Sequence, residues 1–120
     1  MSLKVLIVED DPNWRCLYRI MLKGDADIEI VGEFDNAESA LDEIGHLLPD
    51  VALVDLSLPG MTGVKLAESL GKFPAIKVII VSAYESEYVK GLSHQRFSVV
   101  NKTCSDELLQ KIKEVAAQPA

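Results

Sequence analysis

Five short apolar runs, each followed by a longer stretch of helical periodicity, constrain this chain more than any other feature. The runs are Leu3-Lys4-Val5-Leu6-Ile7-Val8, Ile28 to Gly32, Val51-Ala52-Leu53-Val54, Ile76 to Val81 and Phe97 to Val100. A strand with one wet face alternates apolar and polar residues, because successive side chains point to opposite sides. Runs without sustained alternation belong to strands covered on both faces, as in a parallel sheet with crossover helices above and below. The class is therefore α/β, doubly wound, with five parallel strands and five helices. Periodicity alone leaves the strand order open.

The intervening segments carry their own start and stop signals. Asp11-Pro12 supplies an N-cap and a proline in the first turn. Leu17, Ile20 and Met21 form the expected inward face of that helix, which stops near Gly24. Asn36 caps a second helix with the stripe Ala37, Ala40, Leu41, Ile44 and Leu48, closed by Pro49. A loop through Pro59, Gly60 and Gly63 opens a third, with Leu66, Ala67 and Leu70 inward. Glu85 to Leu92 reads as a weaker helix interrupted by Gly91, and the last helix carries Leu108, Leu109, Ile112, Val115 and Ala116 on one stripe.

At 120 residues the chain is the size of one domain that buries its own core. The expected organisation is a single domain over residues 1–120, with a core of about 3–116 and with 117–120 starting a linker or tail. Nineteen acidic residues against 12 basic ones leave a net charge of −7, the wrong sign for a domain that grips nucleic acid or an anionic membrane. Cys16 and Cys104 lie far apart, with no CxxC and no metal-ligand spacing. This excludes a disulfide framework or zinc knuckle and leaves two small reduced core residues. The apolar start, Leu3 to Val8, is too short for a signal segment or a membrane span, so a soluble cytoplasmic protein is expected.

Polar residues stand at the ends of the strands. Glu9 and Asp10 follow the first, Asp55 the third, Ser82 the fourth and Lys102 the fifth. In a parallel sheet all of these fall on the carboxyl edge, where open α/β sheets bind their ligands. Taken singly, Asp55 reads equally well as a turn residue or a functional one, Ser82 as a turn residue and Lys102 as an exposed strand end; their convergence on one edge outweighs those readings. Asp11 alone stays a helix cap. Clustered carboxylates repel and raise one another's pKa, a conflict that a hard divalent cation such as Mg²⁺ removes. One carboxylate can then serve as nucleophile while the cation and the ammonium neutralise charge on an incoming phosphoryl group. The chemistry implied is phosphoryl transfer to an aspartate. Other sites fit worse: the first strand–helix turn has no glycine, no GxxxxGK[ST] occurs, and Ser57 stands where a DxD phosphatase needs its second acid. His46 and His94 read as surface residues.

The segments Val5 to Pro12, Pro49 to Gly63 (with Asp55-Leu56-Ser57-Leu58-Pro59-Gly60 at its centre) and Val78 to Ala83 closely resemble the receiver domain of bacterial two-component response regulators. The resemblance covers roughly residues 3 to 116. It implies a flavodoxin-like sheet of order 2-1-3-4-5 and a phosphorylation switch. Asp55 matches the phospho-acceptor, Ser82 the switch hydroxyl and Lys102 the lysine that pairs with the phosphoryl group. Asp10, Asp55 and the backbone carbonyl of Ser57 match the Mg²⁺ ligands, with Glu9 acting through water. The implied donor is a phosphohistidine on a sensor histidine kinase or phosphotransfer protein. The resemblance further implies a homodimer through the fourth helix, fifth strand and last helix. It predicts no enzyme activity beyond the domain's own phosphorylation and dephosphorylation, and an output that is often transcriptional.

Three departures stand out. Val99 occupies the position of the family's usual Tyr or Phe, and Phe97 lies two residues earlier on the same strand face. Thr103 replaces the proline that follows the family's lysine in a cis peptide. A non-proline cis bond costs about 3–4 kcal/mol, so a trans Lys102–Thr103 bond is expected. Ser93-His94-Gln95-Arg96 replaces the usual Gly-Ala-Asp-Gly turn, predicting a short or mobile fourth helix. Trp14, in the first helical turn, reads as a packing residue close to the acidic edge. Two functions follow: a phosphorylatable switch, favoured by the complete acidic pair with Asp55, Ser82 and Lys102, or a degenerate receiver that binds proteins without phosphate. No effector segment follows the last helix, which is expected of a domain excised from a longer regulator.

Overall fold

The computed structural model describes residues 2–58, 60–82, 98–101 and 105–118. Nine elements follow in order: β1 (Leu3–Val8), α1 (Pro12–Lys23), β2 (Ile28–Phe34), α2 (Ala37–Leu47), β3 (Val51–Asp55), α3 (Gly63–Leu70), β4 (Lys77–Ser82), β5 (Ser98–Asn101) and α4 (Ser105–Ala116). The strands form one sheet of order β2-β1-β3-β4-β5, every neighbouring pair parallel. This is the flavodoxin-like order that the resemblance implied. Four helices lie among the described residues; the helix expected over Glu85 to Leu92 falls outside them, as do Phe97, Lys102, Thr103 and Cys104.

Period-2 alternation sends the strand side chains into two cores. Leu6, Val8, Ala52, Val54, Val78 and Ile80 pack under α2 and α3. Val5, Ile7, Val51, Leu53, Ile79, Val81 and Val100 pack under α1 and α4. Both faces are covered, which explains the lack of polar alternation in β1, β3 and β4. Local chemistry sets the helix starts: Asn13 N donates to Asp11 Oδ1 at 2.8 Å, Ser39 N to Asn36 Oδ1 at 2.8 Å and Lys65 N to Thr62 Oγ1 at 3.2 Å. Each cap satisfies an amide that has no partner within its helix.

Helix α1 packs by a different face from the one expected. Leu17 and Ile20 are 53% and 66% exposed, and the buried residues are Tyr18 and Leu22, flanked by Trp14 and Met21. Apolar residues surround most of this helix, and the stripe at i, i+4, i+7 and i+8 from Trp14 meets the sheet. Cys16 is consequently exposed on the outer side and is no core residue. Leu48 is also exposed, because α2 ends there in a left-handed turn with φ 42°, and Leu47 packs in its place. The second strand runs on to Phe34, with a register shift opposite Val5 and Leu6.

Candidate functional site

The carboxyl edge of the sheet is built from the ends of β1, β3 and β4. The ladder between β1 and β2 extends one residue past β1, where Glu9 N donates to Phe34 O at 2.9 Å. Glu9 is wholly buried, while Asp10 beside it faces solvent. Two contacts set the path of this turn. Asp11 N donates to Glu9 Oε2 at 3.2 Å. From the first turn of α1, Arg15 Nη1 donates to Glu9 O at 2.7 Å and to Asp10 O at 3.3 Å. A guanidinium on two neutral carbonyls holds the acid-bearing backbone.

Asp55 closes β3 and is 6% exposed. Its register partner on β4 is Val81, and Leu56 N donates to Val81 O at 3.0 Å, so the chain leaves the sheet directly after it. The loop then folds back tightly. A Cβ on Gly63 would lie 2.1 Å from the Asp55 carbonyl oxygen and 2.9 Å from Leu56 Cα, so only glycine lets α3 start this close to Asp55. Gly60 takes φ +72°, and Met61 N donates to Glu38 Oε1 at 3.2 Å, which ties the loop to α2. Ser82, the last residue of β4, is buried.

Carboxylate oxygens of Glu9, Asp10 and Asp55 lie within 4.8 Å of one another. Residues distant in sequence thus present three hard oxygen donors at one point, with no thiolate or imidazole among them. That donor set suits Mg²⁺ or a similar hard cation, which takes a few carboxylates and keeps several waters. By strand parity Glu9 continues Val5 and Ile7, and Asp55 continues Val51 and Leu53, on the α1 side of the sheet. Ser82 continues Val78 and Ile80 on the other side. The side chain of Ser57 is exposed in the loop that follows Asp55, and Lys102 is outside the described residues. Val99 packs partly buried on the α2 and α3 side, and Trp14 packs partly buried on the α1 side.

One residue beside the site escaped the sequence reading. Tyr18 is buried, and burial pushes the proton affinity of its phenol well up, with the charges of Glu9 and Asp55 adding to the effect. Its spacing of four from Trp14 marked the buried stripe, but nothing in the sequence tied its hydroxyl to the acidic edge. Arg15 was missed as well, since a lysine or arginine in a first turn reads as a solvated side chain.

Residues 5–114 match the response regulator receiver domain. The chain is 33% identical over 109 residues to the transcriptional regulatory protein BtsR of Salmonella typhi, covering 91% of this chain and 46% of that protein. It is 38% identical over 80 residues to a protein-glutamate methylesterase/protein-glutamine glutaminase of Agrobacterium fabrum, covering 67% of this chain and 23% of that protein. The chain therefore spans about half the length of BtsR and less of the methylesterase. Among solved structures, the signal receiver domain of the response regulator NarL from Mycobacterium tuberculosis is similar with a TM-score of 0.88 and 25% identity, over 98% of each chain. Among the described residues, no helix is long and apolar enough to cross a membrane.

Proposed function

The chain belongs to the response regulator receiver domain family, and on that footing we propose that it is a phospho-accepting switch with Asp55 as its acceptor. The observation that carries this reading is the approach of Glu9, Asp10 and Asp55 to within 4.8 Å of one another. Such a cluster is typical of the receiver Mg²⁺ site. In this proposal Asp10, Asp55 and the Ser57 carbonyl hold the cation, and Glu9 acts through water. A cation held there would offset the crowded carboxylate charge and supply positive charge toward the phosphoryl oxygens.

The protein's own groups carry the transfer. An ionised Asp55 oxygen attacks phosphorus, the phosphorus–nitrogen bond of the donor phosphohistidine breaks, and the electron pair returns to the imidazole. The product is an acyl phosphate on Asp55. Lys102 pairs its ammonium with the transferred group, and the Ser82 hydroxyl donates to a phosphoryl oxygen. Water later attacks the acyl phosphate and restores the carboxylate. The backbone hold of Arg15 on Glu9 and Asp10, and the close start of α3 at Gly63, keep the three acids in register for the in-line geometry that such transfers need.

The donor partner is a sensor histidine kinase or a phosphotransfer protein in the cytoplasm. The output we favour is transcription, supported by the similarity to BtsR over nearly all of this chain. Residues 1–120 act as a single receiver domain within that arrangement, and the homodimer through the fourth helix, fifth strand and last helix is part of the same proposal. Phosphorylation with acetyl phosphate and Mg²⁺, borohydride reduction and peptide mapping test the acceptor. The expected product is homoserine at position 55. Modification at another residue, or an unchanged pattern in Asp55→Asn, would overturn the assignment, and a chain that takes no phosphoryl group would have to act as a phosphate-independent binding module.

A further inference from the structure

Tyr18 sits where a polar group is hard to account for by packing. Its side chain is 4% exposed, among the apolar residues of the α1 face of the sheet, and its hydroxyl is buried with no hydrogen-bond partner. An O–H group in that state loses its bonds to water without replacement, and phenylalanine would fill the same space without that cost. Two features of the geometry aim the hydroxyl at the acidic edge. Glu9 and Asp55 lie on the same face of the sheet as Tyr18, by the alternation of β1 and β3. Helix side chains also lean toward the helix N-terminus, and α1 begins at Pro12, directly after the acid-bearing turn.

We propose that Tyr18 is a positioning residue of the acidic site, its hydroxyl donating to the Glu9 carboxylate through one bridging water in the protein interior and holding it in the orientation that cation binding requires. The inference rests on the reading of the cluster as a Mg²⁺ site. A phenol is protonated at neutral pH at its ordinary pKa of about 10 and can offer its proton to a carboxylate. Arg15 and the Asp11 amide fix the Glu9 turn from the loop side. Tyr18 approaches from the core on the α1 face of the sheet. Residues that orient a cation's ligands through their outer hydrogen bonds change affinity without touching the cation.

The test compares wild type with Tyr18→Phe in two measurements: a Mg²⁺ titration read by Trp14 fluorescence, and the Mg²⁺ dependence of phosphoryl uptake from acetyl phosphate. Trp14 is well placed, its ring centroid 6.1 Å from that of Tyr18. The expected result is a half-saturating Mg²⁺ concentration raised about tenfold, at the lower end of outer-shell effects, with the rate at saturating Mg²⁺ unchanged and the melting temperature equal or higher. A hydroxyl that merely packs would shift the melting temperature and leave half-saturation alone, which would overturn the proposal. Tyr18→Phe in a Glu9→Gln background should add nothing; the same shift there would show that the hydroxyl acts elsewhere. Wild type that binds no Mg²⁺ sinks the cation reading together with this one, whereas normal wild-type binding with an unshifted variant sinks only the role of Tyr18.

Discussion

Replacing Gly63 with alanine probes how the fold positions Asp55. The added Cβ would lie 2.1 Å from the Asp55 carbonyl oxygen and 2.9 Å from Leu56 Cα, both backbone atoms that no rotamer change can move aside. Relieving the clash requires the start of α3 and the end of β3 to part by more than 1 Å. Overpacking of this kind costs about 1–3 kcal/mol, and the better helix propensity of alanine returns less than about 1 kcal/mol of it. A net loss of about 2 kcal/mol lowers the melting temperature of a domain this size by about 8 °C. Displacing the acceptor by about 1 Å also slows phosphoryl uptake by about a hundredfold. Gly45→Ala is the control, since Gly45 lies in α2 with nothing within 4 Å of its would-be Cβ. It should raise stability by about 0.5–1 kcal/mol and leave the uptake rate unchanged. Thermal unfolding and the initial rate with acetyl phosphate read both effects. If Gly63→Ala behaved like Gly45→Ala, the close packing of α3 on Asp55 would not be what positions the acceptor.

Three further outcomes follow from the same structure. Arg15→Ala removes the donor to Glu9 O and Asp10 O and should cost about 1–2 kcal/mol while weakening Mg²⁺ binding; Arg15→Lys, whose side chain places its nitrogen one atom short of Nη1, should recover only part of this in a fluorescence titration. Asp11→Ala removes the N-cap of α1 and should cost about 1 kcal/mol in denaturant unfolding, with phosphoryl uptake retained because Asp11 serves the helix and not the chemistry. The hydrogen bonds from Arg19 hold the Glu33 carboxyl below its usual range. A depressed carboxylate pKa stabilises the fold above the unfolded-state value and loses that contribution as pH falls through the folded one. Glu33→Gln should therefore be less stable than wild type near neutrality, by at most about 1 kcal/mol for so exposed a pair, and the difference should vanish in acid. A gap that stays constant down to low pH would contradict the assignment.

Much of this architecture can be read from the sequence because single elements carry redundant signals. The strands β1, β3 and β4 are apolar on both sides, and Asp11, Asn36 and Thr62 mark helix starts by chemistry that acts within a few residues. The acidic edge was legible for a related reason: strand ends in a parallel sheet point one way, so Glu9, Asp10 and Asp55 had to meet. Helix α1 was misread where that redundancy fails. With Leu17, Tyr18, Ile20, Met21 and Leu22 spread around it, propensity cannot select a face, and the fit of Trp14, Tyr18 and Leu22 against the sheet decides. Leu48 was misplaced because a left-handed helix end turns the chain away from the stripe. The roles of Arg15 and Tyr18 depend on distances between elements, which no local pattern encodes.

The most direct test of the central claim is the intact mass of the protein after incubation with acetyl phosphate, with Mg²⁺ or with a chelator, for wild type and Asp55→Asn. One added phosphoryl group is expected in wild type with Mg²⁺ and none in the other samples. An adduct that forms without Mg²⁺ or persists in Asp55→Asn, or no adduct in a wild-type protein that binds Mg²⁺, would contradict that claim.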